Sequence, residues 1–223
     1  MISKWGALAA LALVAAAPAA WCNGGDIAPE VRAPRELTPQ EKAREVYNDG
    51  VHYVKKADKA QESAAKQTDA GKKDKSLRQA QELYSSALAK FQEATEADPS
   101  QHEAWNYVGY TNRKLGNYDV ALAAYEKALS LKPGYPDALE YRGEAFLGLN
   151  RVADAQQAYL DLFANNRALA AKLLTAMRGW LETQRSTAAP EKVSELDKWI
   201  QERSTIAGQT ASLTREGTAA SWR

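Results

Sequence analysis

From Thr38 to Ile206 the apolar residues recur at intervals of three and four, as one face of a helix requires. No segment alternates as a half-buried strand would, so the pattern predicts an all-α chain. Val46, Gly50 and Tyr53 mark one helix, and Ala87, Phe91 and Ala94 mark its partner. Near the end Leu169, Leu173, Leu174, Met177, Trp180 and Leu181 keep helical spacing, and Val193, Leu196, Trp199 and Ile200 repeat it after Pro190.

The stretch His102 to Tyr135 sets a period. Numbered from His102, it places Trp105 at position 4, Gly109 at 8, Ala121 at 20, Tyr125 at 24, Ala128 at 27 and Pro133 at 32. Gly109 and Ala121 leave room for two antiparallel helices to approach closely. Trp105 and Tyr125 fill the space beside them, and Pro133 stops the second helix. These residues resemble the 34-residue tetratricopeptide repeat. Pro136 to Leu169 resembles it too, with Leu139, Gly143, Phe146, Ala155 and Tyr159 on positions 4, 8, 11, 20 and 24. There Leu162 and Arg167 replace the usual small residue and the closing Pro. The resemblance implies a solenoid of helical hairpins that serves as a binding scaffold.

Upstream, Ala87, Phe91, Ala94 and Pro99 fall on second-helix positions, whereas Val46, Gly50 and Tyr53 call for a partner alanine at 62. The alanine found is Ala87, which makes an insertion of 25 residues (87 minus 62). That insertion, around Asp58 to Leu83, is rich in Ala, Gln, Lys and Glu, with a turn expected at Asp69-Ala70-Gly71. It predicts a long hairpin arm from Pro39 to about Ala97, opened by the capping signal Thr38, Pro39 and Glu41. Lys55 to Glu82 carries eight basic and five acidic side chains, which suits either a solvated hairpin or a basic docking arm. After the repeats, the last two apolar helices predict a pair capping the exposed end of the stack.

Ahead of the helices, Lys4 precedes an Ala/Leu-rich run from Gly6 to Ala17 that is too short to span a bilayer. Ala17-Pro18-Ala19 supplies the small-residue pattern of a signal-peptidase site. Export is expected, most simply to a periplasm, with no transmembrane segment in the mature chain. Cys22 offers an alternative, a lipid anchor, which Trp21 and the lack of a Leu three residues earlier oppose. The expected layout is a signal peptide at 1–19, a linker at 20–38, the extended hairpin at 39–101, repeats at 102–135 and 136–169, capping helices at 170–206 and a disordered tail at 207–223.

Charge adds an exclusion. With 29 Lys and Arg against 28 Asp and Glu in 223 residues, nothing in the balance draws nucleic acid or an anionic membrane to the whole surface. Candidate chemistry is sparse as well. His52 and His102 have no clustered metal-ligating companions, no Gly-rich phosphate loop follows a strand, and Glu140 and Glu144 share a helix face without a second chemical group. No catalytic residue, metal or cofactor is assigned.

Partner binding is the expectation that remains. The resemblance implies that the first helices of successive repeats line a concave groove. The matching positions here are Glu103, Asn106, Tyr110, Arg113 and Lys114, then Asp137, Glu140, Glu144, Leu147 and Gly148, flanked by Tyr107 and Tyr141. These positions are expected to face the open groove, and Tyr107, Tyr110, Arg113, Glu140, Tyr141 and Glu144 to be dispensable for folding. Aromatic faces between a basic and an acidic end suit a protein or peptide segment with an apolar anchor. An idle groove, with self-association through the arm and caps, is the competing expectation.

Overall fold

Helices follow one another from Pro39 to Ala219 in the computed structural model, which describes residues 35–187 and 189–219. They are α1 (Pro39–Lys66), α2 (Ala70–Ala97), α3 (His102–Lys114), α4 (Tyr118–Leu131), α5 (Pro136–Gly148), α6 (Val152–Asn165), α7 (Arg167–Gln184) and α8 (Pro190–Ala219). Each packs on the next, α3 also packs on α5, and α5 on α7, so these odd-numbered helices form a row. The unit they build begins at Leu37, and among the described residues there is no strand. The architecture is an all-α solenoid of hairpins. The expected signal peptide and most of the linker fall at 1–34, outside the described residues.

Local chemistry explains where the helices start. Thr38 Oγ1 accepts the Glu41 amide at 3.2 Å while the Glu41 carboxylate accepts the Thr38 amide at 2.9 Å, a reciprocal cap for α1. Asp69 caps α2 by accepting the Lys72 amide at 2.8 Å, so the arm turns just before Ala70. Gly116 follows α3 with φ +85°, and one period later Asn150 follows α5 with φ 58°. Both positions need the left-handed conformation, which Gly adopts freely and Asn tolerates.

The period reappears in the core. Ala87, Ala121 and Ala155, then Phe91, Tyr125 and Tyr159, then Ala94, Ala128 and Leu162, are all at most 1% exposed. A Cβ at Gly50 would lie 2.6 Å from the Phe91 ring, and one at Gly109 would lie 2.5 Å from the Tyr125 ring. Those two glycines are therefore the seats of the large rings. Gly143 breaks the pattern, because its added Cβ would meet Leu173 of α7 at 2.5 Å. In the second repeat this contact binds α7 to the stack.

Two expectations need correction. Trp105 is only half-buried, and its indole N–H is held by the Pro99 carbonyl at 2.9 Å on the turn before α3. α8 continues to Ala219, past the stop expected at 206. No proline interrupts that segment, and Ala207, Gln209, Ala211, Leu213, Arg215 and Glu216 favour helix enough to carry it through single glycines. Within the capping pair, Leu173, Met177 and Leu181 of α7 and Leu196 and Ile200 of α8 join the same buried cluster as Phe146 and Leu162.

Candidate functional site

The row of odd-numbered helices carries a line of aromatic rings. Tyr47 of α1 meets Tyr107 of α3 edge-on at 5.6 Å, Phe91 of α2 stacks on Tyr107 at 4.8 Å, and Tyr107 lies 5.9 Å from Tyr110 one turn on. Tyr110 then approaches Tyr141 of α5 at 5.0 Å. Such tilted and edge-on pairs stabilise beyond their buried area. The line fixes the spacing of α1, α3 and α5.

Charges alternate along the same row. On α1, Asp58 Oδ1 accepts both the Tyr84 hydroxyl at 2.5 Å and the Tyr110 hydroxyl at 2.7 Å. Beside it, Lys114 of α3 donates to Gln61 Oε1 at 2.5 Å and sits 5.6 Å from the rings of Tyr84 and Tyr110. Arg113 pairs with Glu144 of α5 and stacks between Tyr110 and Tyr141, at 5.3 and 5.4 Å. Glu140, also on α5, accepts from Lys172 of α7 at 3.0 Å. Charged groups thus succeed one another from α1 to α7, and the contacts of Tyr110 with Asp58, Lys114 with Gln61, Arg113 with Glu144 and Lys172 with Glu140 each tie two odd-numbered helices together.

Burial shapes their protonation. Desolvation, reinforced by the bonded Asp58, raises the Tyr84 and Tyr110 hydroxyls above the ordinary tyrosine range, so both remain protonated donors. Desolvation, with Arg113 alongside, lowers Lys114. Glu140 is pushed up to about 7, first by burial and then by the neighbouring Glu144, against the pull of Lys172.

The structure brings together Tyr107, Tyr110, Arg113, Lys114, Glu140, Tyr141 and Glu144, and places Glu103 and Asp137, both half-buried, at the other end of α3 and α5. Solvent exposure is another matter. Asn106 is 1% exposed, Tyr110 9%, Glu140 0% and Leu147 3%, contrary to the expectation that they face open water. The physical reason is that neighbouring odd-numbered helices pack on one another, and the inserted arm brings Asp58 against Tyr110. Asn106 Oδ1 and Glu140 Oε1 are buried with no hydrogen-bond partner.

Sequence reasoning missed Asp58, Gln61, Tyr84 and Lys172. Asp58 counts by composition as one acid of a solvated arm, and the insertion gives it no repeat position. Lys172 lies on a helix without the repeat signature, so no repeat position points to it. Among the described residues no helix is long and apolar enough to cross a membrane, and no group of three or more His, Cys, Asp or Glu is placed to hold a metal.

Two overlapping segments of this architecture have a known family likeness. Residues 76–136 and 111–168 match the tetratricopeptide repeat model. The matches run from within α2 to just beyond α6. The tetratricopeptide segment thus contains the aromatic and charged side chains of α3 and α5, while Asp58 and Lys172, which bracket them, come from outside it. Tetratricopeptide repeats generally mediate protein–protein interaction.

Proposed function

We propose that this chain is an exported interaction adaptor that holds a peptide or protein segment along its row of odd-numbered helices. The observation that carries this reading is the line from Tyr47 through Tyr107 and Tyr110 to Tyr141, edged by charges from each helix in turn. The half-buried Tyr47, Tyr107 and Tyr141 supply area with little rotamer entropy to lose, and flanking charges orient a segment laid across them. Arg113 and Lys172 are paired with Glu144 and Glu140, and Glu103 and Asp137 lie near the starts of α3 and α5, so the row offers alternating charges to an extended ligand. Export to a periplasm rests on the Gly6 to Ala17 run and the Ala17-Pro18-Ala19 site.

The burial of Tyr110 and Glu140 changes the choice of test. Tyr110 and Glu140 are the more deeply buried, so the probe is Tyr107→Ala with Asp137→Lys, compared with Lys127→Glu on the exposed face of α4, and each variant is read beside its own melting curve. Partners retained by the immobilised chain should be lost with the double variant and kept with Lys127→Glu. The affinity for any one partner should fall by roughly 30-fold, the effect of removing a ~2 kcal/mol hot spot. Unchanged retention by the double variant, with an unchanged melting curve, defeats the reading. Light scattering over a concentration range then tests the competing role as a self-associating subunit.

A further inference from the structure

Glu140 is the anomaly of the row. Its carboxylate has no exposed surface; Oε2 accepts from Lys172, while Oε1 is buried with no N–H donor and the Glu144 carboxylate lies alongside. A buried carboxylate left half-satisfied is unfavourable by an amount that a second donor would recover. Lys172 itself is held loosely. Its side chain is 53% exposed and reaches in from α7, with Nζ 4.9 Å from the centroid of the Tyr141 ring. A carboxylate beside an aromatic face is the environment that recognises organic cations.

We propose that Glu140 and Tyr141 form a subsite for an arginine side chain of the bound segment, which Lys172 occupies when no partner is present. The inference rests on the reading of the row as a binding surface. A lysine ammonium can engage Oε2 as Lys172 does, but a guanidinium presents two parallel N–H groups and satisfies Oε1 as well. Exchange is permitted because the charge of the site is unchanged: one cation leaves as another arrives. Where Glu140 is ionised, as at pH 8, a neutral or acidic side chain cannot displace Lys172 without leaving the buried carboxylate uncompensated. Arg113 does not compete, since Glu144 holds it between Tyr110 and Tyr141. The subsite therefore selects segments carrying arginine and rejects those with only neutral or acidic side chains.

The experiment uses the full chain at pH 8, with N-acetyl-arginine-methylamide as the probe and the lysine and citrulline analogues as controls. In Lys172→Ala the arginine probe should raise the melting temperature by roughly 3–5 °C at ten times its dissociation constant. The lysine probe should bind more weakly, citrulline should have no effect, and wild type should need a higher concentration because Lys172 competes. Adding Glu140→Gln should remove the response. Should Lys172→Ala fail to fold, Lys172→Gln keeps the stem over Tyr141 and should show the same order of probes. An arginine response no larger than that to citrulline, or one that survives Glu140→Gln, overturns the proposal. Because these probes need no protein partner, loss of the subsite is separable from loss of the binding surface: partners can still depend on Tyr107 and Asp137 when the arginine probe does nothing.

Discussion

The first hairpin and the second solve the same packing problem at different lengths. Helices α1 and α2 have 28 residues each, against 13 and 14 for α3 and α4. At its base the long hairpin resembles the short one, with Phe91 seated on Gly50 as Tyr125 is on Gly109. Beyond Tyr84, which is buried beside Ala57, its buried residues are only Ala64 and Ala80. Alanines let two helices come close but remove little apolar area from water, so the outer arm is held by helix propensity and backbone hydrogen bonds more than by burial. Length added to a repeat therefore adds reach without adding much core.

The sharpest way to break this comparison is to empty the ring seats. Tyr125→Ala and Phe91→Ala should each destabilise by ~3–5 kcal/mol in denaturant melts, because both rings are fully buried against a glycine. Equal losses would show that the base of the arm is built as a repeat. A much smaller loss for Phe91→Ala would make the arm an appendage.

Next in size is the protonation of Glu140, which belongs to the repeats. Its folded value stands above the ordinary carboxylate range, so the folded state keeps the proton that the unfolded chain has released. The contribution is full below that ordinary range and is lost as pH rises through about 7. The groups facing it are Glu144 and Tyr141 on α5, Lys172 on α7, and Arg113 on α3 through Glu144. Wild type should lose on the order of 2 kcal/mol between pH 5 and pH 8 relative to Glu140→Gln. Parallel stability–pH curves for the two proteins contradict this. Tyr84 and Tyr110 at the arm, raised above the ordinary tyrosine range, contribute nothing over that interval.

Tyr110→Phe tests how the arm is attached. It removes the hydrogen bond to Asp58 while keeping the ring, and should destabilise by about 1–2 kcal/mol. Hydrogen exchange in α1 near Asp58 should quicken while α5 and α6 are unaffected. At the arm tip, Lys66→Ala should leave the melting temperature unchanged, since its pair with Glu62 is 73% and 65% exposed. A shift would mean that the tip is covered by another surface in solution.

Much of the fold was legible before any coordinates. The period running through Ala87, Ala121 and Ala155, the capping of α1 by Thr38 and Glu41, and the doubled first hairpin all follow from neighbours within one or two helical turns or one repeat. Those are local demands: a cap needs its partner three residues on, and two helices that touch need small residues at the contact. Tertiary structure alone decided which polar residues would be buried and by whom. Asn106, Tyr110 and Glu140 occupy positions that look alike with Glu103 and Lys114 in the repeat numbering, yet the packing of α3, α5 and α7 and the approach of Asp58 put them out of reach of water. Asp58 meets Tyr110 across 52 residues and Lys172 meets Glu140 across 32. Contacts of that span depend on how far each helix is rotated and shifted against its neighbour, and neither periodicity nor composition carries that information.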